Sequence, residues 1–298
     1  MSIENVLPFE TAKALSVHNL EYLIQQSIEL NQKYGGLGFQ QDIQNLNSLQ
    51  QLIQGSDEPC LQLGQIDHLL LFAHHLINSS FNKRYFRNAD FSSKLERFWK
   101  ILFDLSKQSP QRSVDIIVAV AEKRNGALHE KAGKFIQKIG DVNKITSHFL
   151  GPIKHMLDQG HVDILVIGNI LLSWVIRAET HEYYVKESLS KANSILGATY
   201  DIEDICSVES KVMQNTRPQT DINAIRDAIS HCAFSLDING GIFVDFHSNE
   251  RGFNYNRRFK DKELIMFLEY FYKLAGIQEV LFRISLLYSI LLIHFKTP

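Results

Sequence analysis

INAIRDAISHCAFSLD, residues 222–237, holds the change of period on which the fold assignment turns. In its first part Ile222, Ile225 and Ile229 recur at helical spacing, and Thr220 or Asp221 stands where a side-chain oxygen caps a helix start. After His231 the repeat shortens to two residues. FSLDINGGIFVDFHSNERGFNYNRRF, from Phe234 to Phe259, alternates apolar and polar positions, with turn signals at Asn239-Gly240-Gly241 and from Ser248 to Gly252. That pattern predicts three short strands.

Everywhere else the helical period dominates. Glu10 to Tyr34 carries Leu20, Leu23, Ile24 and Ile28 on one face, and Gly35, Gly36 and Gly38 end it. A glutamine-rich stretch from Asp42 to Gln54 keeps an apolar stripe through Leu46, Leu49, Leu52 and Ile53, which sets it apart from low-complexity sequence. Leu61 to Asn78 is strongly apolar. Its His68, His74 and His75 lack a carboxylate at ligand spacing and read as core or boundary histidines rather than a metal site. Ser79 to Asp90 reads as a polar, partly basic connection, and Phe91 to Ser106 as an amphipathic helix through Leu95, Phe98, Trp99 and Leu102.

Pro110 opens the next helix, Asn125-Gly126 interrupts it, and Ala127 to Ile139 resumes the period. Further helices are expected from Val142 to Gly160, within the long run His161 to Ser194, and from Asp201 to Gln214. Two more, Lys262 to Leu274 and Ile277 to Phe295, close the chain. The expected fold class is mainly α: a helical bundle with a small three-stranded antiparallel β-meander near the C-terminus. Residues 1–159 form an all-helical region with a regulatory or partner-binding role. Residues 160–298 form a helical domain with a β-hairpin insertion, although a single domain is the open alternative.

Composition narrows the function class. The 298 residues are 45% hydrophobic and 21% charged with a net charge of −2, ordinary for a soluble globular chain and no magnet for nucleic acid as a whole. Cys60, Cys206 and Cys232 are too scattered for a disulfide framework or a zinc ribbon. The opening residues lack the basic and apolar regions of a secretory signal, so a cytoplasmic location is expected. Val280 to Phe295 is apolar but carries Arg283, and its 16 residues fall short of a span. A membrane helix needs about 20 apolar residues, so this segment reads as a core helix and no membrane partner is expected. Phosphate-cradling glycine loops, a GxSxG elbow and a zinc-protease helix are all missing, and no cofactor or metal is expected.

Chemistry is carried by Arg226, Asp227 and His231. Arginine offers a permanently charged fork to phosphate oxygens, and histidine moves a proton near neutral pH. Five residues of ideal helix rotate by about 500°, leaving Arg226 and His231 roughly 140° apart. A working site therefore needs either a histidine at the helix exit or two copies of the chain. A second match to the spacing occurs at Arg124, Asn125 and His129. Downstream, Arg251, Arg257, Arg258, Lys260 and Lys262 face a single acid, Asp261, with Phe253, Tyr255 and Phe259 interleaved. Basic groups beside aromatics suit single-stranded RNA, held through phosphate contacts and stacking. A solvated edge hairpin is the competing reading.

The Arg226–Asp227–x3–His231 pattern resembles the Arg–polar–x3–His signature of HEPN domains, helical ribonuclease domains of prokaryotic toxin, abortive-infection and CRISPR-associated systems. The resemblance covers about Gly160 to the C-terminus. It implies a helical bundle that forms a homodimer with a composite RNase site. In that site Arg226 and His231 are catalytic and Asp227 orients or polarises them. It further implies metal-independent cleavage of RNA by 2′-hydroxyl attack, in antiviral defence or as a toxin with an antitoxin or regulatory protein as partner. Arg251, Tyr255, Arg257, Arg258 and Lys260 are the candidate RNA contacts. The alternative is a non-enzymatic helical module that binds RNA or protein.

Overall fold

The computed structural model describes residues 7–34, 38–81, 89–147, 176, 179, 183, 187–197, 234–237, 243–248 and 255–297, some of them by backbone alone. Its helices are α1 (Phe9–Tyr34), α2 (Gln40–Gln54), α3 (Leu63–Phe81), α4 (Ala89–Gln108), α5 (Pro110–Ser147), α6 (Ser188–Leu196) and α7 (Asp261–His294). The chain divides into two compact units. The first comprises Met1–Val120, Lys186–Val208 and Ile277–Pro298, and the second Ala121–Val185 and Glu209–Gly276.

In the first unit the core forms around the second half of α7. From Ile277 to Leu291 nearly every position is apolar or a small hydroxyl, and Ile277, Val280, Leu281, Ile284, Leu287, Ile290 and Leu291 are buried. A helix that is apolar on all sides must be surrounded. Three others supply the contacts. Arg283 reaches Asn19 and stacks over the Tyr22 ring of α1, at 4.0 Å from its centroid. Tyr288 donates to Asp67 of α3, and Phe282 meets the Trp99 ring of α4 edge-on at 6.4 Å. Around this axis α1 packs on α2, α2 on α3, α3 on α4, and α4 on α6. The stripes of Leu20 and Leu23, of Leu46, Leu49 and Ile53, and of Trp99 and Leu102 all lie inside. The end of the chain is tied back as well. Leu61 donates to the Phe295 carbonyl and accepts from the Thr297 amide, forming an isolated parallel bridge between Leu61 and Lys296.

Gly276–His294 is long and apolar enough to cross a membrane, but two thirds of it is buried against protein. It packs as the core helix that its length and Arg283 predict.

Three expectations are corrected. The first is the bundle with a built-in β-meander. Among the described residues the fold is mainly α, and the helical first unit contains no strand of such a meander. Extended backbone at Phe234–Asp237 (β1), Phe243–Ser248 (β2) and Tyr255–Lys260 (β3) pairs antiparallel in that order, and it belongs to the second unit. Period-two alternation specifies extended backbone; it does not specify that a sheet is packed into a bundle.

The second correction is the break at Asn125-Gly126 and the fresh helix start at Val142, because α5 runs unbroken from Pro110 to Ser147. The third is the gap near Gly276, because α7 is one helix of 34 residues. A mid-helix glycine costs only about 1 kcal/mol relative to alanine, less than the cost of nucleating a new helix turn. The expected Asp201 to Gln214 helix, the Ile222 to His231 helix, residues 148–160, and the turns at 239–241 and 249–252 lie outside the described residues.

Candidate functional site

Arg226, Asp227, His231 and Arg251 lie outside the described residues. Of the remaining candidates, Tyr255, Arg257, Arg258 and Lys260 fall on β3, an outer strand of the three. The register sets Tyr255 opposite Ser248, Arg257 opposite Phe246, Arg258 opposite Asp245 and Lys260 opposite Phe243. By strand alternation Tyr255 and Arg257 share one face, while Arg258 and Lys260 share the other. The basic positions are thus divided between two faces.

Arg124, Asn125 and His129 are on α5. Arg124 is half-buried and engaged, whereas Asn125 and His129 are exposed. Because the helix is continuous here, Arg124 and His129 stand roughly 140° apart. One chain does not bring them onto one face.

The same helix carries two ion pairs of different character. Glu130 and Lys134, one turn apart, pair in the open, and the Lys134 hydrogen bond and charge hold the Glu130 carboxyl below its ordinary range. Lys131 pairs instead with Glu179, whose side chain is fully buried. The second oxygen of Glu179 has no hydrogen-bond partner among the described residues. A carboxylate withdrawn from water in this way depends on its lysine.

The most developed polar cluster surrounds the paired histidines of α3. His75 Nδ1 donates to Asp42 Oδ2 of α2 at 2.6 Å. His74 Nδ1 lies 2.5 Å from Glu96 Oε1 of α4, and His74 Nε2 takes the Asn78 amide at 2.9 Å. The approach to Asp42 begins at Gly38, whose φ of 75° is a left-handed turn that glycine adopts freely. That turn delivers Phe39 into the core, where its ring meets Phe72 and His75 edge-on. The HH pair is visible in the sequence, but Asp42 is 33 residues away and nothing local announces it.

Two further groups titrate abnormally. Burial, followed by the hydrogen bond to Asp67 and its charge, pushes the Tyr288 hydroxyl far above the ordinary phenol range. The phenol therefore stays a donor. Burial lowers His294, favouring its neutral form. Among the described residues no group of three or more His, Cys, Asp or Glu is placed to hold a metal ion. No family model, curated protein or solved structure matches the chain.

Proposed function

We propose that the chain is a metal-independent endoribonuclease of HEPN type, working in defence or in a toxin–antitoxin setting. The observation that carries this reading is the spacing Arg226–Asp227–x3–His231, with the basic and aromatic run from Arg251 to Lys262 downstream of it. The copy at Arg124–His129 is followed by Lys131, Lys134, Lys138 and Lys144, with Phe135 as the one aromatic residue among them.

The chemistry follows from the side chains. One ring nitrogen of His231 accepts the proton of an RNA 2′-hydroxyl, and the freed oxygen attacks the adjacent phosphorus. The Arg226 guanidinium holds the non-bridging oxygens as negative charge gathers on them. A protonated histidine then gives its proton to the departing 5′-oxygen, leaving a 2′,3′-cyclic phosphate. Asp227 orients the pair. Since Arg226 and His231 do not share a face on an ideal helix, two copies forming a homodimer supply the base and the acid between them. Arg251, Arg257, Arg258 and Lys260 hold the RNA backbone and Tyr255 stacks on a base.

The test is cleavage of single-stranded RNA by purified protein in the presence of a chelator. His231→Ala and Arg226→Ala are each expected to lower the rate by about 100-fold or more, the scale of losing an acid–base or charge-stabilising group. Wild-type rates in both variants would refute the proposal. RNA binding without cleavage by the wild-type chain, weakened by Arg257→Glu with Arg258→Glu, would assign the chain to the non-enzymatic binding class.

A further inference from the structure

Two consecutive histidines on α3 are left with different reactivity. Neighbouring residues on a helix stand about 100° apart, so His74 and His75 address different partners. His74 has both ring nitrogens engaged, one by Glu96 and one by Asn78. His75 is engaged on one side only. Asp42 in its ionised form can only accept, so the His75 proton sits on Nδ1 and the neutral ring keeps its lone pair on Nε2. Among the described residues Nε2 takes no hydrogen bond, and it is not one of the buried polar atoms that lack a partner. It is therefore open to solvent. The side chain of His75 is 36% exposed, while that of Asp42 behind it is only 12% exposed. Asp42 also lies in the first turn of α2, where unpaired backbone amides favour a negative charge. The Phe39 ring, fully buried, stands edge-on to the imidazole at 4.9 Å and limits how it can turn.

The geometry points to Asp42–His75 as a second reactive centre, in which His75 Nε2 is a nucleophile toward small, uncharged, activated acyl compounds. An anchored carboxylate fixes the tautomer and balances the charge that grows on the ring during attack. Asp42 and, beside the neighbouring His74, Glu96 place negative charge around the ring, which disfavours anionic phosphoryl donors and leaves neutral acyl esters unopposed. In the first step the Nε2 lone pair adds to the ester carbonyl carbon. A C–N bond forms, the ester C–O bond breaks, and the leaving oxygen departs with the electron pair. The acylated ring is cationic, its Nδ1–H still held by Asp42. Water then adds to the same carbon, the C–N bond breaks with its electrons returning to Nε2, and one water proton passes to solvent as the carboxylic acid leaves.

The probe is p-nitrophenyl acetate with the full chain, followed by release of p-nitrophenolate. His75→Gln is expected to lower the protein-dependent rate about five-fold or more, and the isosteric Asp42→Asn about two- to five-fold, as loss of nucleophile and of its orienting charge requires. His74→Gln is expected to leave it unchanged. A His75→Gln rate equal to wild type would overturn the assignment. A second measurement needs no variant: brief diethyl pyrocarbonate treatment of the wild-type protein, with modified histidines mapped by peptide mass. His75 is expected to react at least about three-fold faster than His18 and His129, which are exposed without a backing carboxylate among the described residues. Equal or slower labelling of His75 would overturn it independently of any folding defect in the variants.

Discussion

The second half of α7 and the later part of α5 are both stretches of long helix that continue past a glycine, yet they are held by opposite means. From Ile277 onward α7 is enclosed by apolar side chains; Tyr288 and Arg283 reach Asp67 and Asn19 of other helices, while Ser285 and Ser289 bond carbonyls of α7 itself. From Ala121 onward α5 is mostly exposed where its side chains are described, and its recorded tertiary anchor there is ionic, Lys131 on the buried Glu179. Apolar enclosure tolerates the loss of any one polar contact. A buried charge pair has no such reserve, since removal of either partner leaves the other charge stranded.

Cutting back the apolar side gives the largest expected effect. Leu287→Ala in α7, fully buried, should lower the free energy of unfolding by about 3–4 kcal/mol, the usual cost of a core leucine, as read from urea denaturation. A loss below about 1 kcal/mol would mean that the axis is not packed as described. A smaller effect of opposite sign tests helix continuity. Gly126→Ala in α5 and Gly276→Ala in α7 each introduce a methyl into open space within a helix. Each should raise stability by about 0.5–1 kcal/mol, the helix preference of alanine over glycine. Destabilisation at either position would restore the break that the sequence suggests.

The smallest expected effect is a pH dependence. His294 ends α7, and burial depresses its folded-state affinity for a proton. Below the ordinary histidine value of about 6.5 the unfolded chain therefore binds the proton more readily, and stability falls as pH is lowered through that value. His294→Gln should flatten the slope of the unfolding midpoint between about pH 7 and pH 5, while an unchanged slope would place the titration elsewhere.

The same contrast explains what was legible. Buried stripes such as Leu46, Leu49 and Ile53, or the continuous run from Val280 to Leu291, announce their helices because each repeats a single physical demand, the removal of apolar area from water. Helix ends were less legible. Asn125-Gly126 and Gly276 carry stop signals, but a local preference of about 1 kcal/mol is outvoted when the turns on either side continue. The strand-like alternation from Phe234 did not reveal which compact unit its backbone belongs to, because alternation constrains only the residues next to it in the chain. Sites assembled across the chain were not legible at all. Nothing near His75 points to Asp42, and nothing near Lys131 points to Glu179, since a salt bridge over 48 positions leaves no periodic trace. The Arg226–Asp227–x3–His231 spacing is the reverse case: chemistry readable in one dimension, with its test in an RNase assay.

The tie between the two ends of the chain has a consequence for how the protein is made. Asn19 bonds to Arg283 across 264 positions, and Leu61 bonds to Thr297 across 236. Helices α1 to α4 therefore emerge from the ribosome long before the segment that fills the space between them. At about 5–20 residues per second, the gap between Asn19 and Arg283 alone lasts on the order of 10–50 seconds. During that interval the apolar faces of α1, α3 and α4 lack the partner they meet in the finished fold, which makes the nascent chain a natural client for a chaperone that holds exposed hydrophobic surface.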